Sequence, residues 1–220
     1  MRLFAISTLL LIMFATSSLA QSESRSLKEK TSNMRVTDLR VEARNIHLLL
    51  AKIAYQYNVP ISLEVATDED LLDGKHLNLN VNNGTLAEVL DSIVKEKPSY
   101  AWDVSEGTIK VFPKREFRDP LLQTLLEVTI SHFVVPGRTA KFTFRQVLTN
   151  RTELKNLLAS YGVRPSNEAA HSSDVQSLGA DFSLDLENAS VRSILDHVIK
   201  NSQTKYWVIS RSDNSLIINF

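Results

Sequence analysis

The sequence predicts an α+β fold of two related units, each with two helices packed on or between small mixed β-sheets. Three observations predict it. Leu77, Leu79 and Val81 alternate with Asn78, Asn80 and Asn82, the period-2 pattern of a half-buried strand. Ile46, Leu49, Leu50, Ile53, Ala54 and Tyr57 recur at the spacing of a single helix face. From Phe182 onward the strand–helix–strand pattern beginning at Leu77 returns, 105 residues later.

The first twenty residues carry an address. Arg2 is a positive start, Leu3 to Phe14 is an apolar run, and Ser18-Leu19-Ala20 offers the small residues a signal peptidase requires. Residues 1–20 therefore predict a signal peptide cleaved after Ala20. The run is short for a span of about 20 apolar residues, so the expected mature chain is exported, soluble in the periplasm or beyond, and without a stable membrane span. Residues 21–35 are polar with little periodicity and read as a flexible lead.

The first unit is expected over residues 36–113. Val36 to Val41 reads as a strand. Asn45 can cap the helix beginning at Ile46; Asn58 and Pro60 end it. Val59 to Val65 reads as a strand. Asp68-Glu69-Asp70 reads as part of an exposed acidic turn, its donors wrongly spaced for calcium. Asn83-Gly84 reads as a turn after the Leu77 strand. Thr85-Leu86-Ala87-Glu88 is a capping box in which Thr85 and Glu88 satisfy free N–H groups reciprocally. Leu86, Val89, Leu90, Ile93 and Val94 form that helix's stripe, and Pro98 stops it. Tyr100, Trp102 and Val104 share one face of a strand, which Glu106-Gly107 turns into Thr108 to Phe112.

The second unit is expected over residues 121–220. Leu125 to Val135 reads as a strand, Phe142 to Leu148 as strand or helix, and Leu154, Leu157, Leu158 and Tyr161 as a helix stripe closed by Gly162. Residues 164–180 are polar and long for a connection. Beyond them the repeat is plain. Asn83, Leu90, Asp91 and Lys95 recur as Asn188, Leu195, Asp196 and Lys200, and the only two tryptophans, Trp102 and Trp207, keep the same offset. Both are expected in the core under their helices.

The pattern of residues 36–112 resembles the secretin and TonB N-terminus short domain, and residues 125–220 resemble a second, divergent copy. The residues that carry the resemblance are Ile46-x-x-Leu49-Leu50-Ala51-x-Ile53-Ala54, then Val59-Pro60-Ile61, then Leu77-x-Leu79-x-Val81-x-x-Gly84-Thr85-Leu86-x-x-Val89-Leu90. The resemblance implies two helices held between two small sheets, a periplasmic setting, and binding to other proteins without a catalytic residue. Members precede a large channel or barrel. Nothing follows Phe220 here, so the expectation is an interaction module and not a channel.

Composition narrows the chemistry. With no Cys there is no disulfide, no Cys-ligated metal, no Cys nucleophile and no lipid anchor through Cys. Lys+Arg and Asp+Glu both number 25, which argues against a nucleic-acid partner. Five histidines occur without metal-ligand spacing, and the sequence has no phosphate-binding or nucleophile-elbow motif, so neither cofactor nor metal is expected. The expected partner is an envelope protein such as a secretin or a TonB-linked receptor. Tyr206 and Val208 face away from Trp207 and Ile209, and together with Ile217 they are the candidate partner contacts. The same face could instead pack against the first unit. Two further readings stay open: a periplasmic hydrolase of cell-wall material, which needs a cleft between the units lined by converging carboxylates or histidines, and a small-ligand carrier.

Overall fold

A computed structural model describes residues 29–67, 70, 76–135, 148, 150–165, 182–212 and 214–220. The expected signal peptide (1–20), residues 21–28 of the lead, residues 142–147 and residues 166–180 lie outside the described residues. The architecture is α+β.

The first unit opens with strand β1 (Arg35–Ala43) and helix α1 (Ile46–Tyr57). Asn45 caps α1, its side chain accepting from the Leu48 N–H, and Asn58 ends it in the left-handed conformation at φ 51°. Strand β2 (Ile61–Glu64), strand β3 (Leu77–Thr85) and helix α2 (Leu86–Glu96) follow. Asn83 and Gly84 belong to β3, where they pair with Thr37 and Val36, and do not form the expected turn. The strand runs straight into the helix because Thr85 is at once its last residue and the N-cap of α2. Thr85 Oγ1 accepts from Glu88 N–H at 3.2 Å, and Thr85 N–H donates to Glu88 Oε2 at 2.7 Å. Gly84 leaves room there: a Cβ would come within 2.9 Å of that Glu88 oxygen, which would have to shift. Strands β4 (Tyr100–Ser105) and β5 (Thr108–Pro113) form a hairpin, turned by Glu106 at φ 53° and Gly107 at φ 75°.

Helix α3 (Pro120–Glu127) occupies the start of what the sequence suggested was a strand from Leu125. Asp119 accepts from the N–H groups of Leu121 and Leu122, Pro120 sits in the first turn, and Leu121, Leu122, Leu125 and Leu126 bury one face. The strand proper, β6, is Thr129–Val135. Then come α4 (Thr152–Ser160), the two-residue β7 (Arg164–Pro165), β8 (Leu184–Ser190), α5 (Val191–Asn201), β9 (Tyr206–Ser212) and β10 (Ser215–Asn219).

Element by element, the second half has the connectivity of the first. β1 pairs antiparallel with β3, and β6 with β8. β2 lies parallel to β5, and β7 to β10. β4–β5 and β9–β10 are antiparallel hairpins. The second hairpin turns after Ser212, five residues past Trp207, whereas the first turns after Ser105, three past Trp102. The two added residues preserve which side chains face the core, because alternation has period two.

The two units share one sheet. β2 pairs in parallel with β9 as well as β5, giving the order β4-β5-β2-β9-β10-β7. Ile61, Ser62, Leu63 and Glu64 of β2 stand opposite Tyr206, Trp207, Val208 and Ile209 of β9. Ile61 N–H donates to Lys205 O at 2.9 Å, and Val65 N–H to Ile209 O at 3.0 Å. Two apolar clusters form. The second unit's cluster includes Trp207 and Ile209; the first unit's includes Tyr206 and Val208. One strand thus feeds both cores.

That placement corrects the expectation for Tyr206 and Val208. Both are buried, 1% exposed, against the first unit and are not available to an outside partner. Ile217 is half-buried on β10. Val208→Asp should therefore cost about 3–5 kcal/mol of folding stability, as expected for an unpaired charge placed in an apolar core. Urea unfolding would measure it; a loss below about 1 kcal/mol would mean that β9 does not enter the first unit's core.

Candidate functional site

The repeated tryptophan carries a repeated polar partner. Trp102 Nε1 donates to Asp91 Oδ1 at 2.8 Å, and Trp207 Nε1 donates to Asp196 Oδ1 at 2.9 Å. In each unit the capped helix that follows the strand directly presents the carboxylate, and the next strand presents the indole. Their surroundings differ. Asp91 is exposed and Trp102 half-buried, whereas Asp196 and Trp207 are fully buried beneath the first unit.

Burial of Asp196 is made tolerable by charges from both sides of the seam. Lys110 of β5 places Nζ 3.4 Å from Asp196 Oδ2, an ion pair without hydrogen-bond alignment. Close by, Glu64 of β2 accepts from Arg192 of α5 at 2.6 Å, and Lys200 Nζ donates to Glu106 O at 3.1 Å. Desolvation nonetheless pushes the Asp196 carboxyl above its ordinary range, against the pull of Lys110, the Trp207 N–H, Lys200 and Arg192.

A second buried carboxylate anchors the first unit. Asp70, expected in an exposed turn, is buried: Lys97 Nζ donates to it at 2.6 Å and Tyr100 Oη at 2.8 Å, while Ala66 N–H donates to the Tyr100 oxygen at 2.8 Å. Burial, more than the neighbouring carboxylate, raises the Tyr100 hydroxyl's pKa, so that group stays protonated and donates. These contacts are structural, tying the segment after β2 to the start of β4.

A concave surface lies beside the seam. A groove of about 790 Å³ runs between the end of β1 and the residue after it (Arg40 to Arg44), the outer face of α1 (His47, Leu48, Ala51, Lys52, Tyr55) and the second unit's Tyr206 and Phe220. His47 Nδ1 and the Tyr206 hydroxyl share a 3.0 Å hydrogen bond on its floor, and their rings lie 5.4 Å apart. Leu48 and Tyr55, seven residues apart on one helix face, are 41% and 40% exposed. Burial raises the Tyr55 hydroxyl's pKa against hydrogen bonds from Thr204 and the Lys205 backbone, so the second unit holds this ring in place.

The groove's charge is uneven, with Arg40, Arg44 and Lys52 against Glu42. Among the described residues that line it, Glu42 is the one acidic side chain. Among the described residues no three of His, Cys, Asp and Glu converge as a metal site, and no helix is long and apolar enough to cross a membrane. Of the candidate contacts, only Tyr206 lines the groove, through its buried ring; Val208 and Ile217 do not. The sequence reading missed the groove because Leu48 and Tyr55 fall beside the buried stripe of α1, where a lone apolar residue carries no pattern. The Asp–Trp pairs were within reach: both Asp residues precede their Trp by eleven positions.

Comparison with protein-family models, with curated proteins and with solved structures finds no match for this chain.

Asp196 yields a pH prediction. Its folded-state pKa is raised, so the folded chain holds that proton more firmly than the unfolded chain. The stability it contributes is present at low pH and is lost as pH rises from about 3.9, the unfolded value, through the raised folded one. Asp196→Asn keeps the acceptor for Trp207 and cannot ionise. Its stability relative to the native protein should rise between about pH 4 and pH 7, measured by urea unfolding at both ends. A relative fall would show that the Lys110 pair outweighs desolvation.

Proposed function

We propose that this chain is a non-catalytic protein-interaction module that acts after export, in the periplasm, and docks an envelope protein in the groove along α1. The observation that carries the reading is the pair of exposed apolar side chains, Leu48 and Tyr55, lining a groove edged by Arg40, Arg44 and Lys52. Large exposed apolar residues clustered in a concavity mark binding surfaces more often than scattered ones do. The cations select a partner face that is apolar and acidic.

The resemblance to the secretin and TonB N-terminus short domain supports the same role. Each unit holds helices between a two-stranded sheet and a three-strand part of the shared sheet, the arrangement that the resemblance implies. A secretin or a TonB-linked receptor is the partner proposed on that ground.

The test is cross-linking and affinity capture from envelope extracts with the mature chain and with Leu48→Glu and Arg44→Glu. Both positions lie at the surface, so unfolding free energies should stay within about 0.5 kcal/mol of the native value. Capture of the envelope partner should fall on the order of tenfold. Equal capture by native and variant chains would remove the groove from the account; failure of the native chain to capture any envelope protein would remove the function.

A further inference from the structure

The shared sheet ends on one side at β4, whose only paired neighbour among the described residues is β5. The hairpin closes with Ser105 opposite Thr108, so Ser105, Asp103 and Ala101 direct their backbone groups to β5. The same parity holds one step on, where Ser99 O accepts from Lys114 N–H at 2.8 Å. The N–H and C=O groups of Trp102 and Val104 therefore point away from the sheet. β4 contains no proline and no lysine, the residues that commonly blunt an edge.

The second unit displays what such an edge can do. β9 stands in the place of β4, aligned through the Trp207–Asp196 and Trp102–Asp91 pairs. Its outer edge accepts β2 in parallel, through Lys205 O and Ile209 O, which correspond to Tyr100 O and Val104 O. At that seam Ser62 lies opposite Trp207 on one side and Lys110 on the other, all on the face that carries Asp196. The small Ser62 lets Lys110 reach across it to within 3.4 Å of the carboxylate. Asp91, the counterpart of Asp196, is exposed and no such lysine reaches it among the described residues.

From this we infer that the β4 edge is a second binding site, which accepts an extended segment of another protein in parallel, with a lysine or arginine opposite Trp102 flanked by apolar residues. The parallel direction and the register are those of the β2–β9 seam. The basic residue supplies directly what Lys110 supplies from one strand further away. The occupant is not a second copy of this chain docked as unit on unit. Ala101 and Asp103 stand where Tyr206 and Val208 would bury themselves in a neighbouring core, so the apolar half of that interface is missing.

The probe is a labelled peptide of the chain's own residues 58–66 carrying Ser62→Lys and Glu64→Gln, beside a second peptide that retains Ser62. The target is the full mature chain and its Asp91→Asn variant, in which the acceptor for Trp102 is kept. Fluorescence anisotropy should show the lysine peptide binding about fivefold more tightly than the serine peptide, and Asp91→Asn should abolish that preference while leaving the weaker binding in place. Amide exchange should slow at Trp102 and Val104 on binding. No binding, a preference that survives Asp91→Asn, or protection elsewhere would overturn the inference. So would concentration-dependent protection of Trp102 and Val104 without peptide, since a second copy would then be the occupant. Leu48→Glu should leave peptide binding unchanged, which separates this site from the groove.

Discussion

Four residues of β2 decide how this chain is assembled. A strand with neighbours on both sides must satisfy its backbone on both and has no solvated face, and Ile61, Ser62, Leu63 and Glu64 are all buried. The arrangement works because each polar group among them has a partner: Ser62 Oγ donates to Ile109 O at 3.4 Å, and Glu64 pairs with Arg192. Parallel pairing with β9 fuses two three-stranded pieces into one sheet. It also turns alternate side chains of β9 into opposite cores, since the period of a strand is two. A chain without cysteine is held across its two halves by this seam.

The seam also accounts for the differences between the repeats. The same Asp–Trp hydrogen bond is exposed in one unit and buried in the other, because among the described residues only the second unit has a sheet edge docked upon it. Asp196 then loses its water and gains Lys110. Asp91 stays exposed. Tyr206 and Val208, apolar because they enter the first unit, have polar or small counterparts in β4. Where the units meet, Tyr206 also reaches the floor of the groove, so the proposed docking surface exists only in the joined molecule.

Much of the fold was legible. The capping box at Thr85 and Glu88, the stop at Asn58, and the helix faces around Leu90 and Leu195 follow from local chemistry, and the structure has each of them. The repeat pointed to the tryptophans' equivalence, but Trp102 is only half-buried, and among the described residues no further strand pairs with β4 beside it. Local signals misled at Asn83-Gly84, where tertiary pairing with β1 overrides a turn dipeptide, and at Leu125, where the capping power of Asp119-Pro120 starts a helix ahead of the strand. The burial of Asp70 was not legible, since its partners Lys97 and Tyr100 are 27 and 30 residues away. The sequence left the face of Tyr206 and Val208 open to an outside partner or to the first unit; the structure packs it against the first unit through pairing with β2, which no periodicity reveals.

Native-state hydrogen exchange at the seam tests this account most directly. The amides of Ile61 and Val65 donate across it to Lys205 and Ile209. If the seam holds the halves together as one cooperative unit, these two amides should exchange only with global unfolding, at the same free energy as the core amides of α2 and α5 and with the same denaturant dependence. Exchange at a distinctly lower free energy, with both helices still protected, would show that the units part without unfolding and that the seam is not what the rest of the structure depends on.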